Sequence, residues 1–159
     1  MKYEMLDPPP GPSWSAKMFN FDTDPARLAK AAAELNALNT DLSPLKKRGG
    51  KILQYSGWAD QQVNPLPAIQ YYETVSRKTG AEAMRDFYRL FMVPGMFHCS
   101  GGVGCNTVDW LAAVMEWVEK GTAPVQLTGA HVENGKTTRT RPLCLYPQVG
   151  RYNGTGSID

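Results

Sequence analysis

Apolar and polar residues follow one another along the chain in blocks that predict alternating strands and helices. The segment "KILQYSG" (51–57) is a short apolar run that ends in glycine, and "FYRLFMV" (87–93) is apolar almost throughout, as in a strand covered on both faces. Between them, residues 65–78 carry inward-facing apolar residues at helical spacing: Leu66, Ile69, Tyr72 and Val75. Because a further helical pattern follows the second strand, this order predicts an α/β fold, with parallel strands and helices packed on them.

Two more helices are predicted outside this core. Residues 22–39 begin with Asp24 as N-cap and Pro25 at the first helical position, which is typical of a helix start. The apolar residues predicted on its buried face are Leu28, Ala31, Leu35 and Leu38. Residues 41–50 are polar and turn-like.

The helix after the second strand is predicted to start at a cap, Asn106 or Thr107, and to end at Lys120 before Gly121. Its predicted buried face consists of Val108, Leu111, Ala112, Met115 and Val118. The remaining chain predicts one or two short strands, within residues 125–132 and 136–142.

Composition excludes several classes of protein. The chain has 159 residues, 42% hydrophobic and 20% charged, which suits one soluble globular domain. Its net charge of +2 includes no long basic run, so we expect neither nucleic acid nor an acidic membrane surface as a partner. No apolar run approaches the ~18 residues that a membrane span needs. The first residues lack the apolar segment of a secretory signal peptide.

Two chemically active residues follow the two predicted strands. Asp60 comes shortly after the first strand and His98 shortly after the second, and loops at the carboxyl ends of parallel strands are where α/β proteins gather their chemistry. An acid followed by a histidine is the second half of the order serine, aspartate, histidine found in α/β-hydrolases. Taken singly, an aspartate in a turn or a histidine in a glycine-rich loop is also typical of a structural residue.

A nucleophile is missing from the pattern. None of the serines lies in a G-x-S-x-G elbow: Ser13, Ser15, Ser43, Ser56, Ser76, Ser100 and Ser157. Ser100 lies in the same loop as His98, a poor position for a group that must point at it. Cys99 is a weak alternative, because adjacent side chains in an extended segment point in opposite directions.

The three cysteines cannot all pair with one another. The odd number of Cys99, Cys105 and Cys144 implies a free thiol, an intermolecular bridge or bonding partners outside this chain. A zinc site formed with His98 and His131 is a further alternative, but the Cys99–Cys105 spacing is wider than in common zinc motifs. Asn153-Gly154-Thr155 is a glycosylation sequon, a motif that also occurs often by chance.

Four segments together resemble one known family. They are "FNFDTD" (19–24), "GGKILQYSGWAD" (49–60), "FYRLFMVPGMFHC" (87–99) and "RPLCLYPQVGRYNGTGS" (141–157). In sequence and order they are similar to the C-terminal part of the tannase and feruloyl esterase family, secreted serine esterases of the α/β-hydrolase fold. The resemblance implies that residues 1–159 form part of a catalytic domain, whose nucleophile half and lid lie outside this chain.

The resemblance also implies roles for single residues. Asp60 matches the family's catalytic acid and His98 its catalytic histidine. Cys99 matches a cysteine that bonds to another directly before the nucleophilic serine, and Cys144 matches a second cysteine whose partner normally follows. Cys105 has no counterpart that we can place. Trp58 and Phe97 are candidate pocket walls, and Phe97 replaces the small residue that is usual in the family.

The function implied is hydrolysis of phenolic-acid esters, such as hydroxycinnamates and gallates, by a Ser-His-Asp mechanism. A complete relative would carry a structural calcium ion in its lid, for which this chain offers no ligands, and would be secreted or periplasmic. The 159-residue chain is predicted to be inactive for lack of the serine. The alternative is a truncated, non-catalytic relative that acts at most as a binding module.

Overall fold

A computed structural model describes residues 3–156, which divide after Asn39 into two units. The first unit contains two 3₁₀ turns, Ala16–Met18 and Asp24–Leu28, and the short helix α1, Ala29–Leu35. The Asp24 carboxylate accepts hydrogen bonds from the Asn20 backbone (2.9 Å) and the Arg27 guanidinium (2.8 Å). Asp24 therefore closes the turn before it, and is not the N-cap that the sequence predicts.

The predicted helix over residues 22–39 is too long. Its first turn is 3₁₀ and its regular part ends at Leu35, because Asn36 adopts an extended backbone conformation. Ala31 is buried as predicted, but Leu35 and Leu38 are 64% and 71% exposed, so the predicted buried face holds only for the first half.

The second unit contains most of the regular structure. Its elements in chain order are α2 Ser43–Lys47, β1 Ile52–Gly57, α3 Leu66–Thr79, α4 Ala81–Arg85, β2 Tyr88–Val93, α5 Trp110–Lys120, β3 Gln126–Glu133 and β4 Lys136–Cys144. β1 and β2 are parallel, in register from Ile52 opposite Tyr88 to Gly57 opposite Val93. The predicted strand–helix–strand–helix unit is thus confirmed, and the molecule is an α/β protein.

Residues 41–50 differ from the predicted turn. Pro44 lies at the start of α2, where its fixed φ and missing amide proton suit the first helical turn. A short helix therefore precedes β1. No helix among residues 3–156 is long and apolar enough to cross a membrane.

β2 is the centre of the second unit. All six of its residues are buried, as its continuous hydrophobicity predicts. Residues of two apolar clusters lie along it and on the elements beside it: Val75, Met84, Phe87 and Tyr88 in one, and Phe91, Val93, Met96 and Leu143 in the other. Leu66 does not join them, contrary to prediction, since it is 50% exposed at the start of α3.

Helix α5 presents a different face from the predicted one. Trp117 is buried, and the Trp110 ring stacks on Tyr55 of β1 at 4.4 Å between centroids. Four residues predicted to face inward are exposed instead: Leu111, Ala112, Met115 and Val118. The helix starts at Trp110, and its N-cap is Asp109, whose side chain accepts from the Ala112 amide at 2.9 Å. The predicted caps Asn106 and Thr107 lie in the preceding loop.

The last two strands form a separate antiparallel hairpin. Its turn is Asn134-Gly135, both with positive φ (51° and 75°), which is the backbone that a two-residue hairpin favours. Leu145 makes a single antiparallel bridge to Phe91, which connects the end of the hairpin to β2.

Candidate active site

The two loops that follow β1 and β2 lie side by side. We call residues 58–65 the Asp60 loop and residues 94–106 the His98 loop. The Trp58 amide donates to the Val93 carbonyl at 3.0 Å, and the Ala59 amide donates to the Met96 carbonyl at 3.1 Å. Parallel pairing of the strands thus continues into the loops and brings their side chains to one edge of the sheet.

Gly57 makes this approach possible. A Cβ added to it would lie 2.2 Å from the Met96 carbonyl oxygen and 2.6 Å from that of Phe97. No side chain fits there without movement of the backbone. Glycine at the end of β1 therefore allows the His98 loop to cross directly over the start of the Asp60 loop.

Asp60 and His98 form a hydrogen-bonded pair. Asp60 Oδ2 lies 2.8 Å from His98 Nδ1, and the aspartate side chain is 7% exposed against 42% for the imidazole. The other carboxylate oxygen, Oδ1, accepts from the backbone amides of Gln62 (2.8 Å) and Val63 (2.9 Å). Both oxygens are thus held, so the carboxylate has one orientation, directed at the histidine.

The same contacts favour the ionised carboxylate. The Val63 amide is the largest cause of a lowered pKa at Asp60; burial opposes it, and the hydrogen bonds from His98 and Gln62 lower the pKa further. An ionised carboxylate only accepts hydrogen bonds, so we assign the shared proton to His98 Nδ1. This tautomer leaves Nε2, on a partly exposed ring, able to take a proton from a hydroxyl group.

The His98 loop is braced from within. The Asn106 side chain donates to the Gly104 carbonyl at 3.0 Å and accepts from the Gly101 amide at 3.2 Å. The Gly104 amide donates to the Gly95 carbonyl at 3.1 Å, and Met96 is fully buried at the base of the loop. Sequence reasoning identified Asn106 only as a candidate helix cap. An asparagine within a glycine-rich loop was the available signal for this bracing role.

The remaining predicted site residues take separate positions. Trp58 is 44% exposed and Phe97 39% exposed, and Phe97 packs over Gly102, where a Cβ would lie 3.1 Å from its ring. Both aromatic side chains are therefore partly exposed to solvent. Their role as walls of a substrate pocket remains a prediction.

The three cysteines are not bonded to one another. Cys99 is exposed, with a positive φ of 61°, whereas Cys105 is buried and Cys144 half-buried. The predicted disulfides of Cys99 and Cys144, with partners outside the chain, remain predictions.

His131 has a structural environment. Its Nδ1 lies 2.9 Å from the Gly104 carbonyl oxygen and its Nε2 lies 3.0 Å from Glu133 Oε1, so it connects the His98 loop to β3. Within residues 3–156, no three His, Cys, Asp or Glu side chains are grouped so that they could hold a metal ion. The calcium ion implied for the lid of a complete relative remains a prediction.

His98 has one side-chain hydrogen-bond partner in the described part of the chain, Asp60. Among residues 3–156, no serine or cysteine side chain hydrogen-bonds to His98, although Ser100 and Cys99 lie in the same loop. The carboxylate can orient the imidazole so that Nε2 accepts a proton from a hydroxyl or thiol group.

Comparison with known proteins identifies a family. A family model described as tannase and feruloyl esterase matches residues 14–159. The chain is 39% identical to a mono(2-hydroxyethyl) terephthalate hydrolase of Piscinibacter sakaiensis, over 96% of this chain and 27% of that protein. It is 42% identical to a probable feruloyl esterase of Arthroderma benhamiae, over 73% of this chain and 22% of that protein.

Solved structures show the same fold. An esterase from Aspergillus oryzae superposes with a TM-score of 0.80 at 33% identity, over 93% of this chain and 33% of that one. Feruloyl esterase B from the same organism gives 0.77 at 29% identity, over 92% and 32% of the respective chains. The chain thus spans a third or less of each of these relatives.

Proposed function

The chain belongs to the tannase and feruloyl esterase family, and we propose that it supplies the acid and the base of a carboxylic ester hydrolase acting on esters of phenolic acids. The observation that carries this proposal is the 2.8 Å hydrogen bond between Asp60 and His98, formed by loops at the carboxyl ends of neighbouring parallel strands. Such a hydrogen bond is what keeps the histidine oriented in a Ser-His-Asp mechanism, and it supports the proposal.

In this mechanism His98 transfers protons and Asp60 keeps it oriented. Nε2 takes the proton of a serine hydroxyl as its oxygen attacks the ester carbonyl carbon, and then gives that proton to the departing alkoxide. A water molecule, activated by the same nitrogen, hydrolyses the resulting acyl-enzyme. Asp60 stays ionised and stabilises the transient imidazolium, for which its doubly held carboxylate is well suited.

The serine is proposed to come from a part of the protein that these 159 residues do not include. Support comes from the share of the relatives that the chain spans, 27% and 22% for the two curated proteins. We propose that Cys99, exposed next to His98, forms a disulfide with a cysteine beside that serine, which would hold base and nucleophile together. Cys144 would pair with a further cysteine in the same way.

The substrate class rests on the names of the relatives. One is a terephthalate monoester hydrolase, others are feruloyl esterases, and a structural neighbour at TM-score 0.68 and 26% identity is a tannin acyl hydrolase. Terephthalate and ferulate are both aromatic carboxylic acids. Exposed Trp58 and Phe97 offer apolar ring surfaces next to the pair, as an aromatic acyl or alcohol group requires. A secreted or periplasmic location is proposed on the family resemblance.

The test begins with the DNA that flanks this reading frame. An in-frame Cys-Ser elbow upstream would identify the serine, and the longer protein should then hydrolyse methyl ferulate. Its His98→Ala and Asp60→Asn variants should lose activity, whereas Asp22→Asn, which removes an exposed carboxylate in the first unit, should retain it. Equal activity of the His98→Ala variant would contradict the proposal.

A non-catalytic binding module is the second candidate. It is favoured by the absence of a serine or cysteine partner for His98 among residues 3–156. Loss of a nucleophile costs on the order of 10⁶ in rate in a serine hydrolase, so the purified 159-residue chain should show no turnover. Unrelated sequence or a stop codon upstream would favour this candidate. Hydrolysis of methyl ferulate by the 159-residue chain, abolished by His98→Ala, would contradict it.

A further inference from the structure

A cavity of about 560 Å³ lies apart from the Asp60–His98 pair. Its walls come from the His98 loop, from β4 and from residues 150–155. The lining residues are Pro94, Gly104, Cys105, Arg139, Arg141, Pro142, Leu143, Gly150, Arg151, Tyr152, Asn153 and Thr155. Neither Asp60 nor His98 is among them, so the cavity is not the candidate active site.

Three arginines give this cavity a positive charge. Arg139 and Arg141 project from β4, and Arg151 lies in the segment that follows. Among residues 3–156, no aspartate or glutamate lines the cavity. Guanidinium groups remain protonated at all ordinary pH values, and their planar geometry matches carboxylates through paired hydrogen bonds.

The three arginine side chains differ in their contacts and in their exposure. The Arg139 guanidinium donates to the Val103 carbonyl, and it therefore anchors the His98 loop to β4. Arg151 is exposed, and residues 3–156 provide no hydrogen-bond partner for its side chain. Arg141 is half-buried in the cavity wall, and its Nη1 donates to the Thr140 carbonyl at 2.8 Å. Arg151 is therefore the best placed to meet a ligand, and Arg141, which has further N–H donors, lines the same cavity.

The rest of the wall suits an apolar body. Pro94 and Pro142 present exposed rigid rings, and Tyr152 is 51% exposed, with its hydroxyl donating to the Gly156 carbonyl at 2.8 Å. The volume also lies within the ~300–1,000 Å³ typical of small-molecule sites. Charge alone would suit any anion, but the exposed proline and tyrosine surfaces favour a ligand that also has a flat apolar part.

We propose that this cavity binds a small organic anion, with its carboxylate at Arg141 and Arg151 and its apolar part against Pro94 and Pro142. The site is separate from the proposed ester hydrolysis and does not depend on it. A ligand there would contact both the His98 loop and the residues after β4. Its binding to the folded state alone would therefore raise the stability of the protein.

Binding of three probes to the purified 159-residue chain tests this site. Benzoate has the charge and the ring, benzamide has the ring without the charge, and inorganic phosphate has the charge without the ring. Isothermal titration calorimetry at low ionic strength should show saturable binding of benzoate that weakens as salt is added. Benzamide and phosphate should both bind more weakly than benzoate.

Single substitutions test whether benzoate binds in this cavity. Arg151→Gln and Arg141→Gln should each raise the Kd of benzoate about tenfold, the usual loss for one charged hydrogen-bonding group. Arg48→Gln, which removes an exposed arginine outside the cavity, should leave it unchanged. His98→Ala should also leave it unchanged, whatever the outcome for ester hydrolysis. Circular dichroism and the urea midpoint verify that each variant is folded.

Several results would overturn the assignment. No saturable benzoate binding would do so, as would equal affinity for benzamide or phosphate. Binding that survives both cavity variants, or that is lost in His98→Ala, would place the anion elsewhere.

Discussion

Gly57 and Met96 approach each other so closely that a Cβ on the glycine would lie 2.2 Å from the methionine carbonyl oxygen. This contact joins the end of β1 to the base of the His98 loop. It lies beside the hydrogen bond from the Ala59 amide to the same carbonyl. The separation of Asp60 and His98 therefore depends on a residue that carries no functional group.

Gly57→Ala should destabilise the protein and separate the pair. The added methyl group overlaps backbone atoms, which cannot move as a flexible side chain can, and such overpacking costs about 1–3 kcal/mol. Urea denaturation should show this loss in the free energy of unfolding. Gly11→Ala is a suitable control, because nothing lies within 4 Å of its added Cβ. Equal stability of the two variants would show that the loops are not in contact here.

Asp109 should contribute to stability as the cap of α5. Its side chain accepts from the Ala112 amide, and loss of such a cap costs about 1 kcal/mol. Asp109→Ala should lower the free energy of unfolding by this amount, measured by urea denaturation. Asp109→Ser should restore most of it, since serine also caps helices. Equal loss in both variants would assign the effect to the negative charge.

The strands and the long helix α3 could be predicted from the sequence, since the spacing of their apolar residues is typical of those elements. The buried face of helix α5 could not be predicted in this way. Two apolar stripes follow helical spacing along it, one through Leu111 and Met115 and one through Trp110 and Trp117. Tertiary partners select the second stripe: Tyr55 stacks on Trp110, and the Lys51 amine lies 5.3 Å from the Trp117 ring. These partners are distant in sequence, so the pattern within the helix carries no information about them.

The candidate active site could likewise be predicted from the sequence only in part. The positions of Asp60 and His98 after successive strands predicted that they would meet, because parallel strands end at one edge of a sheet. The amides of Gln62 and Val63 that hold the carboxylate depend on the path of the loop backbone. Sequence periodicity does not describe such a path. The same applies to the bracing of the His98 loop by Asn106.

Asn106→Ala should loosen the His98 loop with a modest loss of stability. It removes hydrogen bonds to Gly101 and Gly104, each worth about 0.5–1.5 kcal/mol. Hydrogen–deuterium exchange should become faster at the Gly101 amide, while amides of β2 keep their protection. Asn36→Ala, at an exposed position, provides the control. Unchanged exchange at Gly101 in Asn106→Ala would show that the loop holds its shape without this side chain.

The Asp60 carboxylate should make stability depend on pH in a defined direction. Its pKa is lowered below the ordinary value of 3.8, chiefly by the Val63 amide, so the folded state favours the ionised form more than the unfolded state does. The resulting stabilisation is fully present above pH 3.8 and is lost as the pH falls through the lower pKa of the folded protein.

Asp60→Asn removes this contribution at every pH. The variant should be less stable than the original protein at pH 6, and the difference should shrink as the pH falls below 3.8, where the native carboxyl also becomes neutral. Urea denaturation between pH 6 and pH 2.5 measures the difference directly. Asp22→Asn, at an exposed position in the first unit, corrects for the general effect of removing a carboxylate. A difference that stays constant or grows towards low pH would show that the contacts around Asp60 do not favour its ionised form.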